Sequence, residues 1–383
     1  MGFKMRFYLC ILFLSVSFSS FGQLENSTPN KKQHLSVSFN YGYGNIMHTN
    51  EFVQGDNLKG QPLNYYEFYS WKVLFQNPGY VNWQKIYRGP YYGMGFTMSN
   101  FFNSREIGRP KSVYGILGLP ILRGKKLELY SEFQYGLAWG WKYYDPLTNP
   151  KNVVNGGGIT AHLNIGLNSF YPLTKKLDMG IGLNFVHFSN GAMERPNRGF
   201  NIYTPSVEFK YHLSGRPNTR SIGPSENRAK THDLFLMLGY GNQQLAQNDF
   251  DSNYYAVAGL SAIYFNQLTK TFRLGFGTDI NYWWGLSALP NGGSRGQDLK
   301  NLTAGFIIQP EVIIDRLTFV GVVGIYAGHL RFGSFNQLYQ RLGVRYDFYK
   351  NWSIGVNIRA IEFYRAEFME FNLGYRFRWR KKR

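Results

Sequence analysis

The sequence predicts an all-β protein, specifically an antiparallel β-barrel whose strands cross a membrane. Three observations support this prediction. Aromatic residues make up 18% of the 383 residues and 43 are glycine, whereas only 17% are charged, and disordered chains show the opposite bias. After the N-terminus, no apolar run reaches the roughly 20 residues that a membrane-spanning helix needs. Many segments alternate between apolar and polar residues with the period of two that β-strands have.

The N-terminus has the three parts of a secretory signal in order. Lys4 and Arg6 precede an apolar stretch over 7–18, and a small-residue cleavage site follows. We predict that residues 1–22 are a signal peptide. The single cysteine, Cys10, would leave with it, so the mature chain would have no disulfide and would need another source of stability. A closed ladder of strands in a membrane is such a source.

The strands can be followed along the chain by their alternation. In 35–44 the odd positions are apolar or aromatic and the even positions are small or polar. Residues 127–139, 162–168 and 371–379 repeat the pattern. A soluble sandwich could show the same alternation, but many strands here run to about ten residues with aromatics near their ends, which favours a membrane barrel.

The connections also alternate in length, as in barrels with short periplasmic turns and longer outer loops. The short connections are at 123–126, 172–176, 267–270, 314–316 and 349–351, and the long ones at roughly 46–63, 101–110, 141–158, 190–199 and 286–299. The segment 76–89 should be a short turn and departs from this pattern.

The strand count predicts two halves of about eight strands each, one over 34–213 and one over 232–383, joined by a polar linker at 214–231. The halves resemble each other. Tyr43-Gly44-Asn45 matches Tyr240-Gly241-Asn242, and Gly180-Ile181 matches Gly355-Val356 at the same distance from a lysine, which indicates an internal duplication. Because a closed eight-stranded barrel is a stable unit, tandem barrels are favoured over one sixteen-stranded barrel.

One strand carries residues suited to ester chemistry. His187 and Ser189 continue the apolar, hence lipid-facing, side of the seventh strand, where polar groups are costly unless they have a role. At spacing i, i+2 they leave the same face of the strand, which is the arrangement that a base needs to activate a serine. Asn201 opens the same face of the next strand and should lie beside them.

The residues from His187 to Asn201 resemble the signature of the outer-membrane lipid A 3-O-deacylases (PagL-type), and the resemblance covers about 35–213. It implies an eight-stranded barrel that hydrolyses the ester-linked acyl chain at the 3-position of lipid A. It also implies Ser189 as nucleophile, His187 as general base, and Asn197 with Asn190 as oxyanion-stabilising groups. The implied location is the bacterial outer membrane. With both termini periplasmic, odd-numbered strands run outward, which would put His187 and Ser189 near the outer leaflet.

The sequence departs from the family at Asn201, where the family has a glutamate as third triad member. A carboxylate stabilises the imidazolium, and its loss in a serine protease costs about four decades in rate. We take Asn201 as the partner that orients the ring, by analogy with Cys-His-Asn sites. Glu194 and Glu208 are the alternative acids, although Glu208 has the wrong parity to face lipid. A non-enzymatic pore or scaffold with a degraded site is the alternative function.

The second half is expected to lack a site, since Glu362 and Tyr364 stand where His187 and Ser189 are in the first half. The formal net charge of the whole chain is +19. Arg195 and Arg198 are candidates to bind the phosphates of lipopolysaccharide. Further basic residues in or beside the long loops are Arg105, Arg109, Lys111 and Lys142. A generally basic surface is the alternative explanation.

No cofactor and no metal site are expected. His162 and His212 fall on the lumenal faces of their strands and suit a polar interior network better than a metal. Nucleic-acid binding is not expected either, because no basic helix or known module is present. The sequence leaves the oligomeric state open.

Overall fold

A computed structural model describes residues 32–226, 231–244, 253–285, 301–327, 338–361, 363 and 365–380. The predicted signal peptide with Cys10, the loop at 286–299 and the pair Glu362 and Tyr364 lie outside the described residues. Within the described part, no helix is long and apolar enough to cross a bilayer.

Eight antiparallel strands of the N-terminal half form one closed barrel, in which β1 also pairs with β8. The strands are β1 Leu35–Ile46, β2 Tyr65–Gln76, β3 Tyr91–Asn100, β4 Gly108–Arg123, β5 Glu128–Trp141, β6 Ile159–Pro172, β7 Leu177–Ser189 and β8 Phe200–His212. Two short helices lie in the connections, α1 Glu51–Gln54 and α2 Asn82–Ile86.

The C-terminal half forms a second closed barrel of eight antiparallel strands, in which β16 pairs with β9. Its strands are β9 Thr231–Gln244, β10 Tyr254–Gln267, β11 Phe272–Trp283, β12 Leu302–Ile314, β13 Leu317–Tyr326, β14 Leu338–Tyr349, β15 Trp352–Ile361 and β16 Arg365–Arg380. The predicted fold class is therefore confirmed, including the preference for two eight-stranded barrels over a single large one.

The repeat between the halves falls on equivalent strands. Tyr43-Gly44-Asn45 is in β1 and Tyr240-Gly241-Asn242 is in β9, the first strand of each barrel. Both glycines sit where the neighbouring strand approaches closely. A Cβ on Gly44 would lie 2.1 Å from the Tyr203 carbonyl oxygen, and one on Gly241 would lie 2.6 Å from the Met369 carbonyl oxygen. A side chain fits at neither position, which gives the shared Tyr-Gly-Asn motif a physical reason.

Side chains alternate between the outer wall and the interior as the parity predicts. On β1, Val37, Phe39 and Tyr41 are exposed, whereas Ser36 and Ser38 are buried. Since the outer faces are apolar and the inner faces carry polar groups, the barrel presents its hydrophobic surface to lipid.

The interior of the first barrel is filled by side chains in two ways. At the end that carries the long loops, aromatic and aliphatic residues form an apolar cluster that includes Phe101, Trp141 and Phe188. Towards the other end, Lys72 Nζ lies 2.8 Å from both Glu132 and Glu208. Burying these charges is tolerable because each is paired.

The interior of the second barrel is rich in arginine. Among its described residues, five arginines and five carboxylates are buried, namely Arg273, Arg341, Arg345, Arg359 and Arg376 with Asp233, Asp279, Glu311, Glu367 and Glu370. The single carboxylate of Glu311 forms ion pairs with three of these arginines, Arg273, Arg345 and Arg376. Arg376 also contacts Asp233 at 3.2 Å, so the arginines and carboxylates form a connected ion-pair network.

The segment 76–89, which the sequence pattern expected to be a short turn, contains α2 instead. Trp83 and Gln84 of this helix are buried, and the Trp83 ring lies 5.3 Å from that of Tyr92. Gln84 Oε1 accepts a hydrogen bond from the Tyr80 backbone N–H at 2.9 Å. The extra length is therefore a folded cap at the short-turn end of the first barrel.

Candidate active site

His187 and Asn201 are directly opposite each other on the neighbouring strands β7 and β8. The imidazole Nδ1 lies 2.7 Å from Asn201 Oδ1, and Asn201 Nδ2 donates a hydrogen bond to Thr49 Oγ1 at 3.4 Å. Because the amide oxygen can only accept, Nδ1 carries the hydrogen in this arrangement. That tautomer leaves the lone pair on Nε2, which is the form that a general base needs.

Ser189 is the last residue of β7 and is 8% exposed. Its Oγ accepts a hydrogen bond from Asn197 Nδ2 at 2.9 Å, and it lies 3.3 Å from Asn197 Oδ1. The backbone N–H of Asn190 donates to the same Oδ1 at 3.0 Å. The Asn197 amide is thus held against the serine hydroxyl, with its N–H groups directed towards that oxygen.

Within the described residues, the His187 ring bonds the Asn201 side chain and the Phe200 backbone, and no hydrogen bond joins the ring to Ser189 Oγ. The two side chains nevertheless flank one small residue. A Cβ built on Gly199 would lie 3.3 Å from His187 Cε1 and 3.6 Å from Ser189 Cβ, and 2.9 Å from the Phe188 carbonyl oxygen. Gly199 has a φ of +69°, so this position requires glycine for both space and conformation.

The segment 190–199 is held in place by two other long loops. The backbone N–H groups of Arg198 and Gly199 donate to the carbonyls of Val153 and Val154 at 3.1 and 3.0 Å. Asn50 Nδ2 donates to the Gly199 carbonyl at 3.2 Å. These contacts place Asn197 and Gly199 on a backbone that is fixed by its neighbours, which reduces the reorganisation needed at the site.

The residues next to the site residues on β7 and β8 point inward and pack in the interior of the barrel. Phe188 precedes Ser189 and Phe200 precedes Asn201, and both belong to the apolar cluster at the long-loop end. The Phe200 ring lies 4.5 Å from the Phe101 ring. Alternation along each strand therefore ties the outward polar residues to a packed interior.

The alternative acids differ in position. Glu208 points into the barrel and is paired with Lys72, as its parity indicated. Glu194 is half-buried in the 190–199 segment, and the ring nitrogen that an acid would hold is already bonded to Asn201.

The remaining predicted polar residues separate into interior and loop positions. Asn190 directs its side-chain amide to Asn155 Oδ1 at 3.4 Å, and the Arg198 side chain is exposed. His162 bonds Ser112 and Gln134 in the interior, and His212 bonds Asp178 at 2.6 Å. Among the described residues, no group of three or more His, Cys, Asp or Glu side chains is placed to hold a metal.

Sequence reasoning assigned no role to three residues that the structure adds to the site. Gly199 was visible in the sequence because it follows Asn197 in the signature, and a glycine next to candidate catalytic groups indicates close approach. Thr49 and Asn155 come from distant loops. No local pattern in the sequence marks them.

Two family models match this chain, one in each barrel. Residues 69–210 match the model described as lipid A 3-O-deacylase (PagL), and residues 232–379 match the model described as acyloxyacyl hydrolase, C-terminal domain. No curated protein matches the sequence significantly.

Two of the solved structures that align with the chain are an outer membrane enzyme and a porin. The crystal structure of the outer membrane enzyme PagL aligns with a TM-score of 0.29 and 13% identity, covering 45% of this chain and 97% of that chain. The NanC porin aligns with a TM-score of 0.17 and 9% identity, covering 91% and 100%. The family models confirm the resemblance that the residues from His187 to Asn201 indicated. The first barrel of this chain therefore belongs to the lipid A 3-O-deacylase (PagL) family.

Proposed function

We propose that this protein is an outer-membrane serine esterase that removes the acyl chain ester-linked at the 3-position of lipid A. The observation that carries the proposal is the His187–Asn201 hydrogen bond, which lies beside the Ser189–Asn197 pair on the outer wall of a membrane barrel. The family supplies the reaction class, and these residues supply the groups that such a reaction needs.

In the proposed reaction, Ser189 Oγ attacks the ester carbonyl carbon while His187 Nε2 takes the hydroxyl proton. This requires Ser189 to turn about χ1 from Asn197 towards the ring, a tightening that catalytic hydrogen bonds commonly undergo when substrate binds. The tetrahedral intermediate then collapses, and His187 returns the proton to the sugar oxygen that leaves. Water attacks the acyl-serine by the same route, which releases the fatty acid and restores Ser189.

Asn197 is the proposed oxyanion donor. Its Nδ2 is already 2.9 Å from Ser189 Oγ, so it lies next to the carbon that would be attacked. The Asn190 backbone N–H holds the other end of the same amide. Donors that are fixed before the reaction stabilise the developing charge without reorganisation.

Asn201 performs part of the role of the family's glutamate. It selects the ring tautomer through Oδ1, but it brings no negative charge to stabilise the imidazolium. We therefore expect a slow enzyme. The same observation supports the second candidate function, a non-enzymatic barrel that keeps the site geometry without turnover.

The surroundings of the site suit an amphipathic glycolipid. Leu183, Tyr203 and Ile165 are exposed on the same wall of the barrel, along which an acyl chain can lie. Arg198 is exposed in the adjoining loop. We propose that Arg198 and Arg195 meet the lipid A phosphates, because guanidinium groups match phosphate geometry.

The decisive test compares lipid A from cells that express the wild-type protein, Ser189→Ala or Ser104→Ala, analysed by mass spectrometry. Ser104 is an exposed serine in a neighbouring loop at the same end of the barrel and serves as the matched control. Wild type and Ser104→Ala should yield lipid A that lacks one ester-linked chain, and Ser189→Ala should not. If the lipid A is the same with all three correctly inserted proteins, the non-enzymatic function is the right one.

A further inference from the structure

A cavity of about 370 Å³ lies inside the short-turn end of the first barrel, away from the candidate active site. Lys210 contributes to its lining and lies nine residues beyond Asn201 on β8, which is roughly 30 Å along an extended strand. The segment after β8 also contributes to the lining, through Arg216 and Arg220 among others. The cavity is therefore a separate compartment from the lipid-facing site.

Lys210 is buried, with 5% of its surface exposed, and it differs from the other buried lysine of this barrel. Lys72 has both Glu132 and Glu208 within 2.8 Å. Among the described residues, no carboxylate lies within 4.0 Å of Lys210 Nζ, whose contacts are aromatic faces. The Nζ lies 3.4 Å from the Phe170 ring centroid and 4.4 Å from that of Tyr91.

Aromatic faces stabilise a desolvated ammonium, but by less than its desolvation costs. Glu208, two residues before Lys210 on the same face of β8, is paired with Lys72, and the two acids on the cavity wall are also engaged. Asp178 is bonded to His212 at 2.6 Å and to Arg216, and Glu128 accepts a hydrogen bond from Tyr130 at 2.6 Å. An anion that enters the cavity would thus meet an ammonium group that forms no direct ion pair within the described residues.

The other charged side chains that line the cavity are also mostly positive. Five lysine and arginine side chains line the cavity against two carboxylates. The basic residues are Lys125, Lys126, Lys210, Arg216 and Arg220. Arg220 also bonds the carbonyls of Gly124 and Lys125, at 3.1 and 2.6 Å, which fixes the segment after β8 over the β4–β5 turn.

We propose that this cavity is a binding site for a small phosphorylated molecule, with Lys210 as its central phosphate ligand. A volume of this size is in the range of small-molecule sites. Several basic groups around one buried ammonium suit an oxyanion with three acceptor oxygens better than a single carboxylate. Bound phosphate would supply the negative charge that Lys210 lacks at direct ion-pair distance.

The site can be tested by isothermal titration of the full-length protein in detergent with inorganic phosphate, and separately with acetate. We expect wild type to bind phosphate more tightly than acetate, and Lys210→Met to bind phosphate at least tenfold more weakly. Lys59→Met, at an exposed position in the long loop after β1, carries the same charge change and should bind as wild type does. Ser189→Ala should also bind normally, which separates this result from the esterase proposal.

A second pair of variants avoids any change in the interior. Lys125→Ala/Lys126→Ala removes two exposed charges that line the cavity, and Lys175→Ala/Lys176→Ala removes two exposed charges from the next turn, outside the lining. Only the first pair should weaken phosphate binding, by about threefold or more, through lost attraction between charges. Absence of phosphate binding by wild type, equal binding of acetate, or equal effects of the two double variants would overturn the proposal.

Discussion

The two barrels share an architecture and differ in where they carry polar groups. The first places an imidazole, a hydroxyl and two amides on its outer wall at the long-loop end. In the second, the polar groups of the described residues concentrate in the interior, where five arginines face five carboxylates. Both halves have the same strand number and the same alternation.

The difference shows that inward-facing and outward-facing residues of the same strands have different roles. Inward residues determine how the barrel is filled and held, and outward residues with the loops above them determine what it can do to a lipid. A duplicated barrel can therefore keep its fold while one copy carries a candidate site and the other carries a different interior. The variants below test this separation, from the largest expected effect to the smallest.

Glu311→Gln should destabilise the second barrel by about 3–5 kcal/mol, because breaking a buried ion pair leaves uncompensated charge. Three arginines depend on this carboxylate. The measurement is the free energy of unfolding in lipid vesicles, with Asp347→Asn as control, since Asp347 is half-buried and forms no ion pair among the described residues. Esterase activity should not change under conditions in which the variant is folded. A parallel loss of activity would contradict the view that interior residues determine stability and outer residues determine activity.

Asn197→Ala should lower kcat by about 10²–10³-fold, which is the usual cost of removing one oxyanion donor. The assay is release of fatty acid from purified lipid A, and Asn64→Ala is the matched control. Asn64 is at the same end of the barrel and its side chain bonds only His48 among the described residues. If both variants lose activity to the same extent, Asn197 has a structural role and no direct one in the reaction.

Gly199→Ala should lower activity by roughly 10–100-fold, because a misplaced catalytic group loses effective concentration. The added methyl would press on Phe188 and His187. Gly60 offers a close control, since its φ is +62° and a Cβ there would meet nothing within 4 Å. Gly60→Ala should share the backbone strain and retain activity, so an equal loss in both variants would point to strain alone.

Asn201→Glu should raise turnover by about tenfold, because a carboxylate stabilises the imidazolium that forms during the reaction. Asn201→Gln has the same length without the charge and should not reproduce the gain. The comparison is made by fatty-acid release under identical conditions. Faster turnover by both variants would attribute the effect to side-chain length, and no gain in either would remove Asn201 from the proposed triad.

The sequence by itself determined the fold class and the faces of the strands. An apolar–polar alternation with a period of two fixes which face of each strand points outward, because shifting the strand by one residue would expose its polar face to lipid. It also placed His187, Ser189 and Asn201 on one face of adjacent strands, since their parity is local information. The two-barrel arrangement was favoured in the same way, from an eight-strand count repeated on either side of a polar linker.

Only the tertiary structure decided the contacts that depend on loops and on the interior. The α2 cap over 76–89, the Thr49 contact to Asn201 and the approach of Gly199 to His187 join residues whose separation in sequence follows no period. The same is true of Lys210, whose parity predicts an inward position but not the aromatic rings around it. Alternation specifies which side of the wall a residue occupies; ring closure and loop packing specify what it meets there.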